Sequence, residues 1–191
     1  YFPQSTASAI ATYQTLSPTA QSAAEATLST VVNNNTVLIK SFATIVGDPN
    51  ATTIPAGLWE LDFWSIVSNT GGGVSNTFVE VYKRTSGGVE TLLFNTTSPT
   101  LSSTSATHYI WQSVQPAFAL SLTDLIVFKI YGKTLRTSNT TVSFLYLGTT
   151  HYSHIETPLS PIGFSGTSGT SGYSGTSGTS GYSGTSGTGA S

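Results

Sequence analysis

From Gly163 to Gly187 every third residue is glycine, nine times without a break, in the run GFSGTSGTSGYSGTSGTSGYSGTSGTG. A collagen triple helix demands that period, because only a hydrogen atom fits where three chains meet at the axis. A flexible Gly/Ser linker has no such need. Part of the run is a duplicated unit, GTSGTSGYS, and duplication preserves any period it starts with. The triplets contain no proline and no charge, so nothing preloads the extended conformation or pairs the chains. Nine such triplets need a trimeric head that registers the chains and raises their effective concentration. The expectation is a collagen-like stalk over 161–191, with Gly163, Gly166, Gly169, Gly172, Gly175, Gly178, Gly181, Gly184 and Gly187 at its axis. A linker, or an extended strand held by a neighbour, is the alternative. Phe164, Tyr173 and Tyr182 each follow a glycine and lie nine residues apart. On a triple helix they face outward, about 27 Å from one to the next. They are the expected stalk-docking residues.

About 160 residues remain, enough to bury one core. Charged residues are only 7% of the chain and the formal net charge is −2. The six basic residues, Lys40, Lys83, Arg84, Lys129, Lys133 and Arg136, are too scattered for a phosphate-tracking groove, so no nucleic-acid partner is expected. There is no cysteine, which excludes a disulfide framework and thiolate metal sites. No apolar run approaches the roughly 20 residues of a membrane-spanning helix, so no membrane insertion is expected. The chain starts at Tyr1 without Met, which suggests a processed start or one further upstream. Abundant Ser, Thr and Asn suit a β-rich protein exposed outside cells, where hydroxyls and amides supply solubility.

The periodicity supports that class. In IPAGLWELDFWSIVS a strand is expected over 58–68, where Trp59, Leu61 and Phe63 alternate with Glu60, Asp62 and Trp64, the period of a half-buried strand. Further strands are expected over 37–46, 77–84, 89–95, 107–114, 124–132 and 140–148. The TSGG segment at 85–88 is a hairpin turn. Short strands with turn-rich links predict an all-β fold, an antiparallel jelly-roll-like sandwich head over 37–160. Residues 1–36 read as an N-terminal arm, irregular or with one or two strands, with a possible short helix at 21–28. Tyr1, Phe2, Ile10 and Tyr13 of that arm have no obvious home. DLIVFKIYG is apolar on both faces. Ile126, Phe128 and Ile130 line one face and Leu125, Val127 and Tyr131 the other; either the strand is buried between two layers of its own chain, or the second face packs a neighbouring chain in a homotrimer.

Little points to chemistry. Glu60 and Asp62 share a strand face, a spacing that pairs carboxylates but more often marks a solvated face. HYSHIE offers His151, His154 and Glu156; on a strand the two histidines would point to opposite faces, whereas His154 and Glu156 would share one. Trp64, Tyr82 and Trp111 could stack sugars, which leaves a cell-surface glycan as a candidate ligand. Asn34, Asn50, Asn95 and Asn139 open Asn-X-Ser/Thr sequons, as a chain rich in these residues does by accident. No nucleophile elbow, P-loop or dinucleotide fingerprint is present. The expectation is no enzyme, with no catalytic, cofactor or metal residues.

Four segments carry a resemblance: IPAGLWELDFWSIVSN, EVYKRTSGGVETLLFNTTSP, LTDLIVFKIYG and GTTHYSHIETPL. They resemble a domain of tailed-bacteriophage virion proteins that often adjoins Gly-X-Ser collagen-like repeats. The resemblance spans residues 1–160 for the domain and 163–189 for the repeat. It implies a structural, fibre-like role and brings no catalytic residues. The expected function is a trimeric fibre protein, assembling head to tail into filaments. The alternative is a receptor- or glycan-binding head on a tether.

Overall fold

The computed structural model describes residues 1–159. The expected stalk at 161–191, with its nine glycines and the rings of Phe164, Tyr173 and Tyr182, lies outside the described residues. The chain forms thirteen strands and, among those residues, no helix: β1 (Phe2–Ala7), β2 (Gln14–Ser17), β3 (Ala26–Val32), β4 (Thr36–Thr44), β5 (Thr53–Ile54), β6 (Gly57–Val67), β7 (Ser75–Arg84), β8 (Glu90–Thr97), β9 (Thr107–Gln115), β10 (Phe118–Ala119), β11 (Leu125–Thr134), β12 (Thr140–Tyr146) and β13 (His154–Glu156). The head is an all-β sandwich. One sheet has six strands in the order β1-β2-β4-β11-β7-β8. The other has β6 at its centre, with β9 along one side, and β12 and β13 in succession along the other. β3 extends that sheet beyond β12. β5 and β10 form a separate two-stranded ribbon.

The alternation along β6 sets the layers. Trp59, Leu61, Phe63 and Val67 are fully buried, while Glu60, Asp62, Trp64 and Ile66 are partly exposed on the opposite face. Across the core, Trp59 meets Phe94 of β8 with centroids 5.0 Å apart and Phe128 of β11 at 6.1 Å. Phe63 meets Trp111 and Phe144 edge-on at 5.1 and 4.9 Å. Such tilted pairs add about 0.5–1.5 kcal/mol each to simple burial. Gly132 of β11 lets the sheets approach closely: a Cβ there would lie 2.9 Å from both Thr30 Cγ2 and Val142 Cβ.

The expected arm is part of the sandwich. β2 pairs parallel with β4, and β3 pairs antiparallel with β12 over seven residues. The helix expected at 21–28 gives way to a loop leading into β3, where the Thr and Val of ATLSTVV favour a strand. Tyr1, Phe2 and Tyr13 find homes in their own chain. The Tyr1 hydroxyl donates to Asp48 Oδ1 at 2.9 Å, Phe2 stacks on His154, and the Tyr13 hydroxyl donates to Glu90. The turn at 85–88 closes the β7–β8 hairpin, with Gly88 at φ 87° and its N–H donating to Thr85 O.

One end of the sandwich buries a cation. Arg136 is 2% exposed. Its Nε donates to Ser75 Oγ at 3.2 Å, and its Nη1 has no partner among the described residues. Gly73 packs against it. A Cβ on Gly73, which sits at φ 143°, would come 3.1 Å from Arg136 Cγ.

Candidate functional site

The outer face of the five-stranded sheet gathers groups that are far apart in sequence. Its strands, β3, β6, β9, β12 and β13, carry none of the six basic residues but hold Glu60, Asp62 and Glu156. All three histidines of the chain meet there. Asp62 accepts from Nε2 of His108, its diagonal neighbour on β9, and lies 3.9 Å from His154 Nδ1 on β13. His154 Nε2 is 3.7 Å from Glu156. His151 pairs with Glu25 at 2.7 Å. Gln112 of β9 donates to Glu60. At the centre sits Trp64. The His108 ring stacks on it at 4.8 Å and 15°, and the His151 ring meets it edge-on at 4.5 Å.

An interruption between β12 and β13 builds this arrangement. Leu145 pairs with Trp64, but the next partner along β6, opposite Asp62, is His154. The residues between them loop out and return. Leu147 and Gly148 open the loop at φ 64° and 73°. Ser153 closes it: its Oγ accepts from the Trp64 N–H at 2.8 Å and donates to Leu145 O at 2.6 Å. That detour corrects the expectation for HYSHIE. His151 is in the loop and not on a strand, so it and His154 end on the same side of the sheet. Among the described residues, no group of three His, Asp or Glu is arranged to hold a metal ion.

The aromatic residues singled out as sugar platforms are engaged within the chain. Trp111 is 8% exposed and faces Phe63 in the core. Trp64 packs between two imidazoles. Tyr82, on the other sheet, has Lys129 Nζ 4.5 Å above its ring. Two surface clefts measure about 110 and 30 Å³. Both are smaller than the roughly 300 Å³ at which small-molecule sites begin.

The outer face of the six-stranded sheet is a hydrogen-bonded ionic cluster. Glu90 accepts from Tyr13, Arg84 and Lys129 at 2.7–2.9 Å. Burial pushes the Glu90 carboxyl up, but the bonds from Lys129, Tyr13 and Arg84 outweigh burial and hold it below the ordinary carboxylate range. Glu80 accepts from both Tyr82 and Tyr131 at 2.7 Å. Burial, then the Glu80 carboxylate, pushes the Tyr82 phenol up to about 12 and raises Tyr131 in the same direction. Of the three residues expected at an interchain contact, the structure encloses Val127 and leaves Leu125 and Tyr131 half-buried. Val127 is fully buried within one chain, between its pairing neighbours Ala43 and Tyr82, and has no area to offer a partner. Leu125 is half-buried in a cleft with residues 7–10 and 44–46, and the Tyr131 hydroxyl is taken by Glu80.

No protein-family model matches the chain, and no curated protein matches it. Among solved structures, a chain described as "CBM4 structure and function" is similar over 69% of this chain and 83% of its own, at 13% identity and a TM-score of 0.36. That overlap is too loose to bear on function.

Proposed function

We propose that the chain is a structural subunit of a fibre outside the cell or on a virion, a β-sandwich head joined to a collagen-like segment through which three copies associate. The observation that carries this reading is the unbroken glycine triplet from Gly163 to Gly187. The head adds support by what its surface does with its chemistry. Carboxylates are bonded to histidines, tyrosines and lysines of the same chain, and the rings suited to sugar stacking already have neighbours. That pattern suits a packed scaffold better than an open catalytic or recognition surface, so glycan binding is the weaker reading. Phe164, Tyr173 and Tyr182 are then the rings through which one stalk docks on a neighbouring subunit.

The deciding measurement is the mass of the full chain in solution by light scattering. Three times 19.9 kDa is the expected result. A monomer would end the triple-helix reading. A glycan array with the intact protein tests the weaker one: binding lost on Trp64→Ala would restore it.

A further inference from the structure

The two sheets treat their edges differently. In the six-stranded sheet, edge strand β1 carries Pro3 and a register break between Pro3 and Ala7. Its other edge, β8, is broken in register opposite Val81 and Tyr82. Proline and bulges are the devices by which proteins keep open edges from pairing with other chains. The five-stranded sheet has neither at its edges. β9 runs nine residues beside β6 without a register break, and β3 runs seven beside β12 likewise. Their sequences, THYIWQSVQ and ATLSTVV, contain no proline, glycine, lysine or arginine. Among the described residues, no strand pairs with the far side of either. Their outer faces carry exposed aliphatic side chains: Ile110 at 48%, Val114 at 77% and Val31 at 55%.

We infer that these edges are complementary interfaces: β9 of one copy adds to β3 of a second copy and extends the five-stranded sheet from head to head. Three points identify the occupant as this same chain. Neither edge strand carries Asp, Glu, Lys or Arg, so joining them opposes no charged residues of like sign. Within the sheet β3 and β9 run antiparallel, because each step from β3 to β12 to β6 to β9 reverses direction. A neighbour placed by rotation about an axis along the strands therefore offers β3 antiparallel to β9, the pairing already used throughout this sheet. Finally, the glycine-triplet segment would hold three heads at high effective concentration, enough for a short edge contact to form. This last point rests on the fibre reading. Because the contact joins unlike edges, it closes into a ring or continues as an open filament.

The chain has no cysteine, which makes the test clean. Ser29→Cys on β3 is combined in turn with Ile110→Cys, Gln112→Cys or Val114→Cys on β9, in the full-length chain. Within one copy two strands separate these edges, about 14 Å at the usual strand spacing, beyond the roughly 7 Å Cα reach of a disulfide. Mild oxidation should therefore give covalent oligomers in at least one pairing, at several times the yield of either single-cysteine control. A ladder ending at three marks a closed ring and a longer one an open filament; both support the contact. A trimeric mass with cross-linking no greater than the controls overturns the edge contact and leaves the stalk reading standing. A monomeric mass with no cross-links overturns both.

Discussion

At the scale of single residues, the fold keeps two polar commitments that can be tested. Arg136 is enclosed with one hydrogen bond from its guanidinium and an orphaned Nη1. A buried donor without a partner costs about 1–3 kcal/mol, so Arg136→Met, similar in volume, should hold stability level or raise it by about 1 kcal/mol. Chemical denaturation measures this, and a loss above 2 kcal/mol would mean that the guanidinium has a partner. The second commitment is the pair of phenols on Glu80. Tyr82 ionises near 12 in the folded head and at its ordinary value of 10 when unfolded, so the unfolded state releases its proton first as pH rises. The stability it contributes is present below pH 10 and is lost as pH climbs towards 12. Glu90 works in the opposite direction. Its depressed carboxyl stabilises above the ordinary carboxylate value and loses that effect as acid protonates it. Thermal melts should therefore fall at both extremes, and Glu80→Gln should make the alkaline arm shallower while burial keeps part of it, with phenolate absorbance rising at lower pH than in the parent protein.

At the scale of elements, the interrupted edge of β6 is where sequence reading and structure part company. The alternation of β6 was legible because it is long and flanked by large side chains: Trp59, Leu61 and Phe63 announce a core face without any knowledge of partners. The hairpin at 85–88 was legible for a similar reason, since its glycines name the turn. β2 and β3 were legible only as one or two strands somewhere in an arm, because their short, hydroxyl-rich segments have weak alternation and become strands through their partners β4 and β12. HYSHIE put His151, His154 and Glu156 in view, but the cluster they build with His108 and Asp62 was hidden. His108, His151, His154 and Asp62 come from three strands and a loop, and a local pattern cannot reveal a loop that detours over Trp64. Ser153 is the hinge pin of that detour. Ser153→Ala removes one acceptor and one donor at a site 1% exposed, and should cost about 1–3 kcal/mol. Its imidazole readout is specific: the His151 proton resonances should lose the ring-current shift from Trp64. A variant that melts early with His151 unshifted would place the loop under other control.

At the scale of the whole molecule, head and glycine-triplet segment make separable demands. If the proposed triple helix forms, Gly175→Ala would put a methyl group at the crowded axis of all three chains. It should make the tail protease-sensitive while leaving head stability within about 0.5 kcal/mol, as for a distant substitution. Unchanged protection of the tail would rule out collagen-like winding. The head has a further property that its topology makes mechanical. The Ile155 N–H donates to Tyr1 O at 2.8 Å, so the first and last strands of the sandwich meet at one point. A pull between whatever precedes residue 1 and whatever follows residue 159 does not run through the aromatic core. It loads first the reciprocal pair of main-chain bonds between Tyr1 and Ile155. In the proposed fibre, such a sandwich would give slack at its seam before its core is strained.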